Sequence, residues 1–445
     1  MNTKNSPHHI VIVGGGAGGA ELAKKLGDSV GKHNQAKVTL VDAKLTHIWK
    51  PLLHEIAAGT LNSSIEAMEY IDHAHRHHYN FQLGYVDHVD PQAKEISIAP
   101  TLDDDEEETI PRRSLKYDTL ILAVGSLTKH FNTKGVVEYC KFLDTLEEAN
   151  NFQSYLMRKM LRAQNRTQEL RPGQLHVAIV GAGATGIELA AELHGATKKL
   201  IAFGFDKLEA SRDIKITIIE ASPSILPALP KRLSDAALEE LRKLNIEVMT
   251  DERVVEAKKE GLITHSGKFI PAETMVWAAG IKAPNFLTTI DGLETNAINQ
   301  LLVKTTLETT NDENIFAFGD CASCPLIGEE GFVPPRAQAA HQQASLLVKT
   351  MKYRLAGKTN LPEYRYVDYG SLVNLGHYST VGNLMGNLMG RWSGSMSVEG
   401  FAARMVYKSL YRMHLIALHG YTREILMTIA NWITNRGLKP RLKLH

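Results

Sequence analysis

The fold of this chain is decided by the stretch Ile10-Val11-Ile12-Val13-Gly14-Gly15-Gly16-Ala17-Gly18-Gly19. Its four apolar residues predict a buried strand, and Gly14, Gly16 and Gly19 follow in the spacing G-x-G-x-x-G. In that spacing the first glycine makes a tight turn, the second admits a pyrophosphate, and the third lets a helix pack closely. The stretch therefore predicts a dinucleotide site at the start of a helix.

The same design occurs a second time, after the apolar run Val177-Ala178-Ile179-Val180. Its glycines are Gly181, Gly183 and Gly186, and Thr185 lies inside the turn. A single glycine turn is a weak signal, but each of these two follows a predicted strand and precedes a predicted helix. Together they predict two nucleotides bound by one protein.

Each turn has an acidic partner at the end of the next strand. Residues 38–41 lead to Asp42, and residues 216–219 lead to Glu220. A carboxylate in this place accepts hydrogen bonds from ribose hydroxyls, although ordinary solvated surface is the alternative interpretation. Because Ala221-Ser222-Pro223 follows Glu220, with no nearby arginine for a 2′-phosphate, NADH is favoured over NADPH.

A further apolar strand closes each unit and runs into small residues. These strands are residues 119–123 and 274–278, and a third apolar strand at 315–318 ends in Gly319-Asp320. We predict that the closing turns contact the cofactors through Ala123, Gly125, Ala279 and Gly280. The repetition predicts an α/β fold that is duplicated within the chain and contains two Rossmann-like dinucleotide-binding domains.

Composition sets limits on the class of protein. The chain has 445 residues, a net charge of +1 and 22% charged residues, so nothing attracts it globally to nucleic acid. Three cysteines in such a length indicate a reducing compartment. No secretory signal is expected, because the polar first residues run straight into the first strand.

Three stretches resemble the type II NADH dehydrogenases, which are single-subunit NADH:quinone oxidoreductases of respiratory membranes that do not pump protons. The stretches are Trp49–Glu55, Gly181–Glu188 and Ala337–Gln342. The similarity covers essentially the whole chain and is strongest with the proteobacterial branch. It implies a flavoprotein shaped like glutathione reductase that binds FAD and NADH and reduces ubiquinone or menaquinone.

The resemblance also implies a division into domains. In such flavoproteins a Gly-Asp like Gly319-Asp320 places its carboxylate on the ribitol chain of FAD. The FAD-binding domain would then be discontinuous, at residues 1–140 and 281–362, with the NADH-binding domain inserted at 141–280. Residues 363–445 would form a C-terminal region that associates with the membrane.

Three residues are predicted to act in catalysis. The family pattern makes Gln338 and Gln342 line the quinone site, and their spacing puts both amides on one helical face; an ordinary polar face is the alternative. Glu188 is expected where nicotinamide, flavin and quinone meet, although a carboxylate near a helix start is also stabilised by the helix dipole. The resemblance and the first glycine turn assign four more residues to cofactor binding: Ala17, Gly18, Lys50 and Ala337.

Two clusters, one of cysteines and one of histidines, contain metal-ligating residue types, but neither pattern requires a metal. Cys321 and Cys324 form a C-x-x-C, for which a structural or incidental role is favoured over thiol chemistry or an accessory metal. The histidines at 73, 75, 77 and 78 are interpreted as an exposed helix end. We therefore predict no metal site.

The C-terminal segment predicts contact with a membrane surface. Residues 401–445 carry eight Lys or Arg residues against the single acid Glu424, and Arg404, Lys408 and Arg412 recur every fourth residue. Apolar residues accompany them in two predicted helices, namely Phe401, Met405, Leu415, Ile416, Leu418, Ile425, Leu426, Ile429, Trp432 and Ile433. Such helices lie flat on anionic lipid. Packing on the domain, or in a homodimer, is the alternative.

The implied reaction is hydride transfer from NADH to flavin, followed by two-electron reduction of a membrane quinone without proton pumping. No window of about 20 apolar residues is present, so the enzyme is expected to be peripheral, on the cytoplasmic face of the inner membrane. The alternatives are a soluble disulfide or ferredoxin reductase, a sulfide:quinone reductase, and a nucleotide-binding redox sensor. The intact second fingerprint with Glu220 argues against sulfide:quinone reduction.

Overall fold

The computed structural model describes residues 7–103, 105–375, 379–385, 395–399, 401–422 and 424–429. The chain forms two compact units, each built from separate segments. Unit 1 contains the residues up to Trp49, Ala67–Leu127 and Ile281–Asp368. Unit 2 contains Lys50–Glu66, Thr128–Gly280 and the residues from Tyr369 onward. These units are defined by internal contacts; the domain boundaries at 140, 280 and 362, which concern cofactor binding, stay a prediction.

In chain order the strands are β1 (His8–Val13), β2 (Ala36–Asp42), β3 (Thr46–His47), β4 (Met68–Glu69), β5 (Asn80–Leu83), β6 (Val86–Asp90), β7 (Glu95–Ile98), β8 (Thr101–Leu102), β9 (Glu108–Ile110), β10 (Arg113–Lys116), β11 (Thr119–Leu122), β12 (Leu127–Thr128), β13 (His176–Val180), β14 (Lys215–Ile219), β15 (Glu247–Met249), β16 (Val254–Lys258), β17 (Gly261–Thr264), β18 (Phe269–Pro271), β19 (Thr274–Trp277), β20 (Ile281–Lys282), β21 (Leu301–Leu302), β22 (Ile315–Ala317), β23 (Ala322–Ser323), β24 (Ser371–Leu375), β25 (Ser379–Met385) and β26 (Ser395–Glu399). The α-helices are α1 (Ala17–Leu26), α2 (Leu53–Ala57), α3 (Ser63–Glu66), α4 (Tyr70–Arg76), α5 (Val136–Tyr139), α6 (Leu146–Gln164), α7 (Ala184–Ala202), α8 (Ala210–Asp213), α9 (Lys231–Lys243), α10 (Ala337–Leu355) and α11 (Phe401–His419).

The main sheet of unit 1 has five parallel strands in the order β22-β11-β1-β2-β5. Its central strand β1 is apolar from Ile10 onward and carries the fully buried residues Ile10 and Ile12, as the sequence predicts for a strand covered on both faces. Helix α10 packs against α1 beside this sheet. Because the strands are parallel, the turns that follow β1, β11 and β22 meet at one edge, where a nucleotide binds in this class of fold.

Unit 2 repeats this arrangement with four parallel strands in the order β15-β14-β13-β19. The strand that precedes the second glycine turn, β13, lies between the strand with the acidic end and the closing strand, as β1 does in unit 1. Its core includes Val180, Ile219 and Trp277. The predicted duplication of the α/β fold is confirmed.

Helix α6 illustrates why the elements begin where they do. The sequence predicts a helix over about 144–166, and it extends from Leu146 to Gln164. Thr145 accepts a hydrogen bond from the Glu148 amide, while the Glu148 carboxylate accepts one from the Thr145 amide. This reciprocal capping box satisfies two amides that the first helical turn leaves without partners.

Unit 2 also contains an antiparallel sheet in the order β24-β25-β26. Helix α11 packs against all three of its strands, and α7 packs against β24. This sheet is absent from the sequence-based expectations, which describe residues 363–445 only as a membrane-associating region. Strand β24 of this sheet places the backbone amide of Asn374 against Glu188 of α7.

Among the described residues, no helix combines the length and the apolar character that crossing a membrane requires.

Candidate active site

The first glycine turn leaves β1 at Gly14, whose φ of +99° lies in the left-handed region that favours glycine. A Cβ at Gly14 would overlap the carbonyl of Ala123, and one at Gly19 would overlap the carbonyl of Gly14. At Gly16, by contrast, a Cβ would meet open space among the described atoms. The turn is therefore closed towards the protein and open at the glycine that is predicted to admit a pyrophosphate.

The second turn repeats these features in unit 2. Gly181 has a φ of +105°, and a Cβ there would lie 2.9 Å from the Ala278 carbonyl oxygen. A Cβ at Gly186 would overlap the Gly181 carbonyl, whereas one at Gly183 would meet nothing within 4 Å in the described structure. Thr185 lies exposed in the first turn of α7. Both turns thus share one geometry, with close packing at the first and third glycines and open space at the second, and the contact with a pyrophosphate stays a prediction.

The helices that follow these turns can hold phosphate at their amino ends. α1 begins at Ala17 and α7 at Ala184, and neither has a side-chain hydrogen bond to its cap within the described residues. Their first amides can therefore bind an anion in the field of the helix dipole. Gly18 lets α1 approach the ring of Phe318. These residues fit a dinucleotide in each unit.

Asp42 holds the first turn in shape through its carboxylate. It accepts hydrogen bonds from the amides of Gly15, at 2.6 Å, and Lys44, at 2.8 Å. Burial raises the pKa of Asp42, while these two amide bonds oppose the rise. The carboxylate thus lies beside the glycine turn, as a ribose-binding group requires.

Glu220 has the equivalent place beside the second turn. Its carboxylate accepts hydrogen bonds from the amides of Ala182, at 2.7 Å, and Ser222, at 2.8 Å. The two acidic strand ends therefore make the same contact with the residue that follows the first glycine of each turn. This shared geometry favours the ribose interpretation over ordinary solvated surface.

The remaining small residues lie at the ends of the closing strands. Ala123 and Gly125 follow β11, and Ala279 and Gly280 follow β19. Gly125 has a φ of +67° and Gly280 a φ of +68°, so the two turns share a left-handed glycine. A Cβ at Gly280 would overlap the ring of Phe131.

Gly319 and Asp320 follow β22 in unit 1. The Ser126 hydroxyl donates to the Asp320 carboxylate at 2.8 Å, and the Gln300 amide donates to the Asp320 carbonyl at 2.9 Å. The Gly319 amide donates to the side chain of Gln343 at 2.8 Å. Sequence reasoning missed Ser126, Gln300 and Gln343 because their partners lie far away along the chain.

Gln338 and Gln342 share one face of α10, as their spacing predicts, and both contact residues 364–368. The Gln338 amide donates to the Tyr366 hydroxyl and to the Asp368 carboxylate, each at 3.1 Å. Gln342 donates to the carbonyl of Val367 at 2.8 Å and accepts from its amide at 3.0 Å. Both glutamines thus hold a segment of their own unit, and their predicted contact with quinone stays a prediction. Ala337 begins the same helix.

Lys50 forms an ion pair within unit 2. Its ammonium lies 2.9 Å from the carboxylate of Asp144, which also accepts hydrogen bonds from the amide and hydroxyl of Thr128. The Lys50 side chain is 46% exposed, so the pair leaves it accessible. Its role in cofactor binding stays a prediction.

Glu188 is a buried carboxyl group on α7 with a perturbed pKa. It is 6% exposed, accepts a hydrogen bond from the Asn374 amide at 2.9 Å, and lies 3.6 Å from Nδ1 of His54. Burial raises its pKa to about 8, the Asn374 bond opposes this, and the carboxylates of Glu55 and Glu192 add to the rise. Glu188 is therefore protonated at neutral pH, as an acid that delivers a proton must be.

The C-x-x-C cysteines are poorly suited to thiol chemistry. Cys321 and Cys324 are both free and buried. Burial raises the pKa of Cys321 to about 11 and that of Cys324 to about 12, so both stay protonated at neutral pH. No group of three or more metal-ligating side chains occurs within the part of the chain that the structure describes.

The histidine cluster is only partly exposed, since the His77 side chain is 19% exposed and its Nδ1 lies 3.0 Å from the Asp28 carboxylate. His75 and His78 are exposed, as expected for a helix end. His73 is instead buried, with its Nδ1 2.9 Å from the hydroxyl of Tyr79, and the interpretation as an exposed residue is wrong there. The reason is that α4 turns this side chain towards the apolar interior, where the tyrosine satisfies it.

The C-terminal helices leave apolar side chains in solvent. Tyr421 is 72% exposed, Ile425 57%, Leu426 67% and Ile429 49%. Leu418 is buried, which corrects its assignment to the apolar surface, because α11 packs against the β24-β25-β26 sheet. Trp432 and Ile433 lie outside the described residues, as do the side chains of four predicted members: Phe401, Arg404, Met405 and Lys408.

Comparison with known proteins identifies the class to which this fold belongs. A family model of the pyridine nucleotide-disulphide oxidoreductases matches residues 8–344. The chain therefore belongs to that family. A type II NADH:quinone oxidoreductase from Haemophilus influenzae is 42% identical over 450 aligned residues, covering 98% of this chain and 100% of the relative. Within the larger family, the chain thus belongs to the type II NADH:quinone oxidoreductases.

More distant relatives agree with this assignment. A type II NADH:quinone oxidoreductase from Staphylococcus aureus is 25% identical, covering 90% of this chain and 95% of the relative. Among solved structures, NDH2 from Plasmodium falciparum in complex with NADH shares the fold, with a TM-score of 0.82 and 20% identity over 98% of this chain and 99% of that one. The sulfide:quinone oxidoreductase of Aquifex aeolicus shares it with a TM-score of 0.70 and 16% identity over 97% and 96%.

Proposed function

We propose that the chain oxidises NADH and reduces a membrane quinone without pumping protons, with FAD as its resident cofactor. The observation that carries this proposal is the pair of glycine turns, each open at its second glycine and each supported by a carboxylate. Membership of the type II NADH:quinone oxidoreductases supports it further. When bound, FAD supplies the ability to accept a hydride and to return two electrons.

Unit 1 is proposed to hold FAD. The amides at the start of α1 would bind its pyrophosphate, Asp42 its adenosine ribose, and Asp320 its ribitol chain. Ser126 supports this assignment because its hydroxyl orients the Asp320 carboxylate.

Unit 2 is proposed to hold NADH. The amides at the start of α7 would bind the pyrophosphate, and Glu220 would accept hydrogen bonds from a ribose that carries no 2′-phosphate. Because the carboxylate of Glu220 already lies at the turn, it is oriented before the nucleotide arrives. A negatively charged 2′-phosphate beside Glu220 would be repelled.

Quinone reduction is proposed to use the side-chain amides of Gln338 and Gln342. Amide side chains can both donate to and accept from a quinone oxygen. Glu188 is proposed to hold a proton for the reduced quinone, since its pKa of about 8 keeps it protonated at neutral pH.

The enzyme is proposed to reach its quinone, ubiquinone or menaquinone, from the cytoplasmic face of the inner membrane as a peripheral protein. Four exposed side chains support this: Tyr421, Ile425, Leu426 and Ile429. Burying such side chains in the lipid interface contributes about 1.5–3 kcal/mol each when burial is complete. A homodimer that covers the same face is the alternative occupant.

One experiment separates this function from its alternatives. The purified protein should be yellow, lose its flavin absorbance when NADH is added, and regain it with a short-chain quinone. Sulfide should not bleach the flavin, and a disulfide should not reoxidise it, because the buried thiols of Cys321 and Cys324 stay protonated. Colourless protein, or flavin that NADH leaves oxidised, would refute the proposal.

A further inference from the structure

Glu188 is buried, and as a proton donor to quinone it would have to be reprotonated at every turnover. This inference rests on the proposed function. Quinone reduction consumes two protons, and a carboxyl group that gives one up has to regain it from water. Glu188 is 6% exposed, so direct contact with solvent is small. A neighbouring group must therefore carry protons to it.

His54 lies between Glu188 and a more accessible carboxylate. It is on α2, 2% exposed, with Nδ1 3.6 Å from Glu188 Oε2 and Nε2 4.0 Å from Glu55 Oε1. The Glu55 side chain is 19% exposed and thus reaches solvent. Within the described residues, Nε2 of His54 is a buried nitrogen that makes no hydrogen bond. The imidazole of His54 thus lies between two carboxyl groups, with one nitrogen nearer to each of them. This is the geometry of a proton relay.

We propose that Glu55 and His54 form a proton-entry relay to Glu188. With the ring proton on Nδ1, Nε2 accepts a proton from the Glu55 carboxyl while Nδ1 releases one to the Glu188 carboxylate. The ring is neutral before and after, and a half-turn restores its starting tautomer. One proton enters from water for each proton that Glu188 gives to the reduced quinone, so charge and atoms balance.

The distances suit transfer through small movements. Both exceed the hydrogen-bond reach of ~2.6–3.2 Å, so a side-chain rotation or one bridging water completes each transfer. Burial lowers the pKa of His54 to about 4, while a hydrogen bond with the Pro51 backbone opposes this, so the ring rests in the neutral form that a relay needs. An imidazolium would appear only briefly.

The other groups around Glu188 do not offer an equivalent route. Glu192 lies one helical turn further along α7, but it is itself 6% exposed and accepts a hydrogen bond from the Thr60 hydroxyl at 3.0 Å. On the side of β24, Glu188 meets the backbone amide of Asn374, which does not titrate. Tyr411 of α11 donates to Glu66; burial, Glu66, Glu424 and Glu55 raise its pKa, so it stays protonated.

The test uses the full-length protein loaded with FAD and compares two half-reactions by stopped-flow absorbance. His54→Gln and Glu55→Gln should leave flavin reduction by NADH within about twofold of wild type. They should slow flavin reoxidation by a short-chain quinone, and proton uptake measured with an indicator dye, by roughly 10²-fold. The KM for quinone should change little, because neither residue is proposed to touch it.

Two controls separate a relay from a structural role. His176→Gln removes another buried histidine of unit 2, whose Nε2 lies 2.8 Å from the Thr217 hydroxyl, and should leave reoxidation unchanged. Imidazole in the buffer should restore part of the rate of His54→Ala, which opens space for it. If His54→Gln fails to fold, Glu55→Gln provides the same comparison.

The relay is refuted if both variants reoxidise and take up protons at the wild-type rate, or if imidazole restores nothing. It is also refuted if Glu192→Gln alone reproduces the slow reoxidation, because protons would then arrive along α7. A wild-type protein that does not reduce quinone at all would refute the proposed function instead, so the two failures are distinguishable.

Discussion

At the scale of single residues, Glu188 shows how position sets chemistry. A carboxyl group with a pKa of about 8 differs from an ordinary glutamic acid because burial disfavours its charged form. Its pKa lies above its ordinary value, so the proton is held below about pH 8 and lost as the pH rises through it. A proton donor of this kind works at neutral pH and fails in alkali.

The first prediction concerns that titration. Glu188→Gln should slow quinone reduction by roughly 10²-fold or more, the lower end of what general acids contribute, and leave flavin reduction unchanged. In the wild type, the rate of quinone reduction should fall as the pH rises through about 8, and in the variant that fall should disappear. Stopped-flow traces of both half-reactions at a series of pH values measure this. A variant with the wild-type rate and slope would remove Glu188 from the reaction.

Glu220 carries the second prediction. Its carboxylate holds the Ala182 and Ser222 amides, and it is proposed to bind the ribose of NADH. Charge-assisted hydrogen bonds contribute about 1.5–3 kcal/mol each, so Glu220→Gln should raise the KM for NADH by about tenfold or more with little change in kcat. Glu247→Gln, on the neighbouring strand, is the matched control and should stay within about twofold. Equal effects of the two changes would contradict the assignment.

At the scale of elements, α10 is attached to residues 364–368 through its glutamines. Gln342 pairs with both polar groups of the Val367 backbone. Gln342→Leu should therefore lower the free energy of unfolding by about 1–3 kcal/mol, because it leaves a backbone amide and carbonyl without partners. Chemical denaturation measures the loss, and Lys349→Ala, on an exposed part of α10, should change it little. If the variant is as stable as wild type, the backbone amide and carbonyl of Val367 form hydrogen bonds with water in place of Gln342.

The elements that sequence predicts best are those whose signals are local. The strand before each glycine turn, the turn itself and the acidic end of the next strand all follow from residues close together in the chain. Asp42 and Glu220 accordingly lie where they are expected. The capping box at Thr145 likewise marks the start of α6.

Contacts between distant parts of the chain cannot be predicted from local sequence patterns. Glu188 accepts a hydrogen bond from the amide of Asn374, which lies on β24. No local sequence pattern predicts how that strand pairs. In the sequence, His54 is only one residue of the stretch Trp49–Glu55 that resembles the family. Its position beside Glu188 depends on how α2 packs against α7. Val367 offers no side-chain signal at all, because Gln342 binds its backbone.

At the scale of the whole molecule, the chain uses one fold twice and adds a C-terminal extension. The strand orders β22-β11-β1-β2-β5 and β15-β14-β13-β19 place the glycine turn next to the closing turn in both units. Repetition of this kind provides two nucleotide sites from one folding pattern, and the chain passes between the units several times. The extension is proposed to serve a need that neither nucleotide site meets, which is access to a quinone dissolved in lipid.

The last prediction concerns that access. Ile425 and Leu426 are 57% and 67% exposed, so replacing both with Glu should disturb the fold little. The change removes two apolar side chains from the lipid interface and adds two charges that anionic lipid repels, at about 1 kcal/mol each. Binding to anionic vesicles should therefore weaken by roughly 10²-fold or more, while oxidation of NADH by a soluble acceptor is kept.

Cosedimentation with vesicles measures that binding. The matched control changes Leu161 and Phe203 to Glu, because these residues of unit 2 are 46% and 73% exposed and are not proposed to meet lipid. If both double variants bind vesicles as tightly as wild type, the exposed apolar side chains after Gly420 contact something other than lipid. A shift from dimer to monomer on changing Ile425 and Leu426, with vesicle binding intact, would identify that occupant as a second copy of the chain.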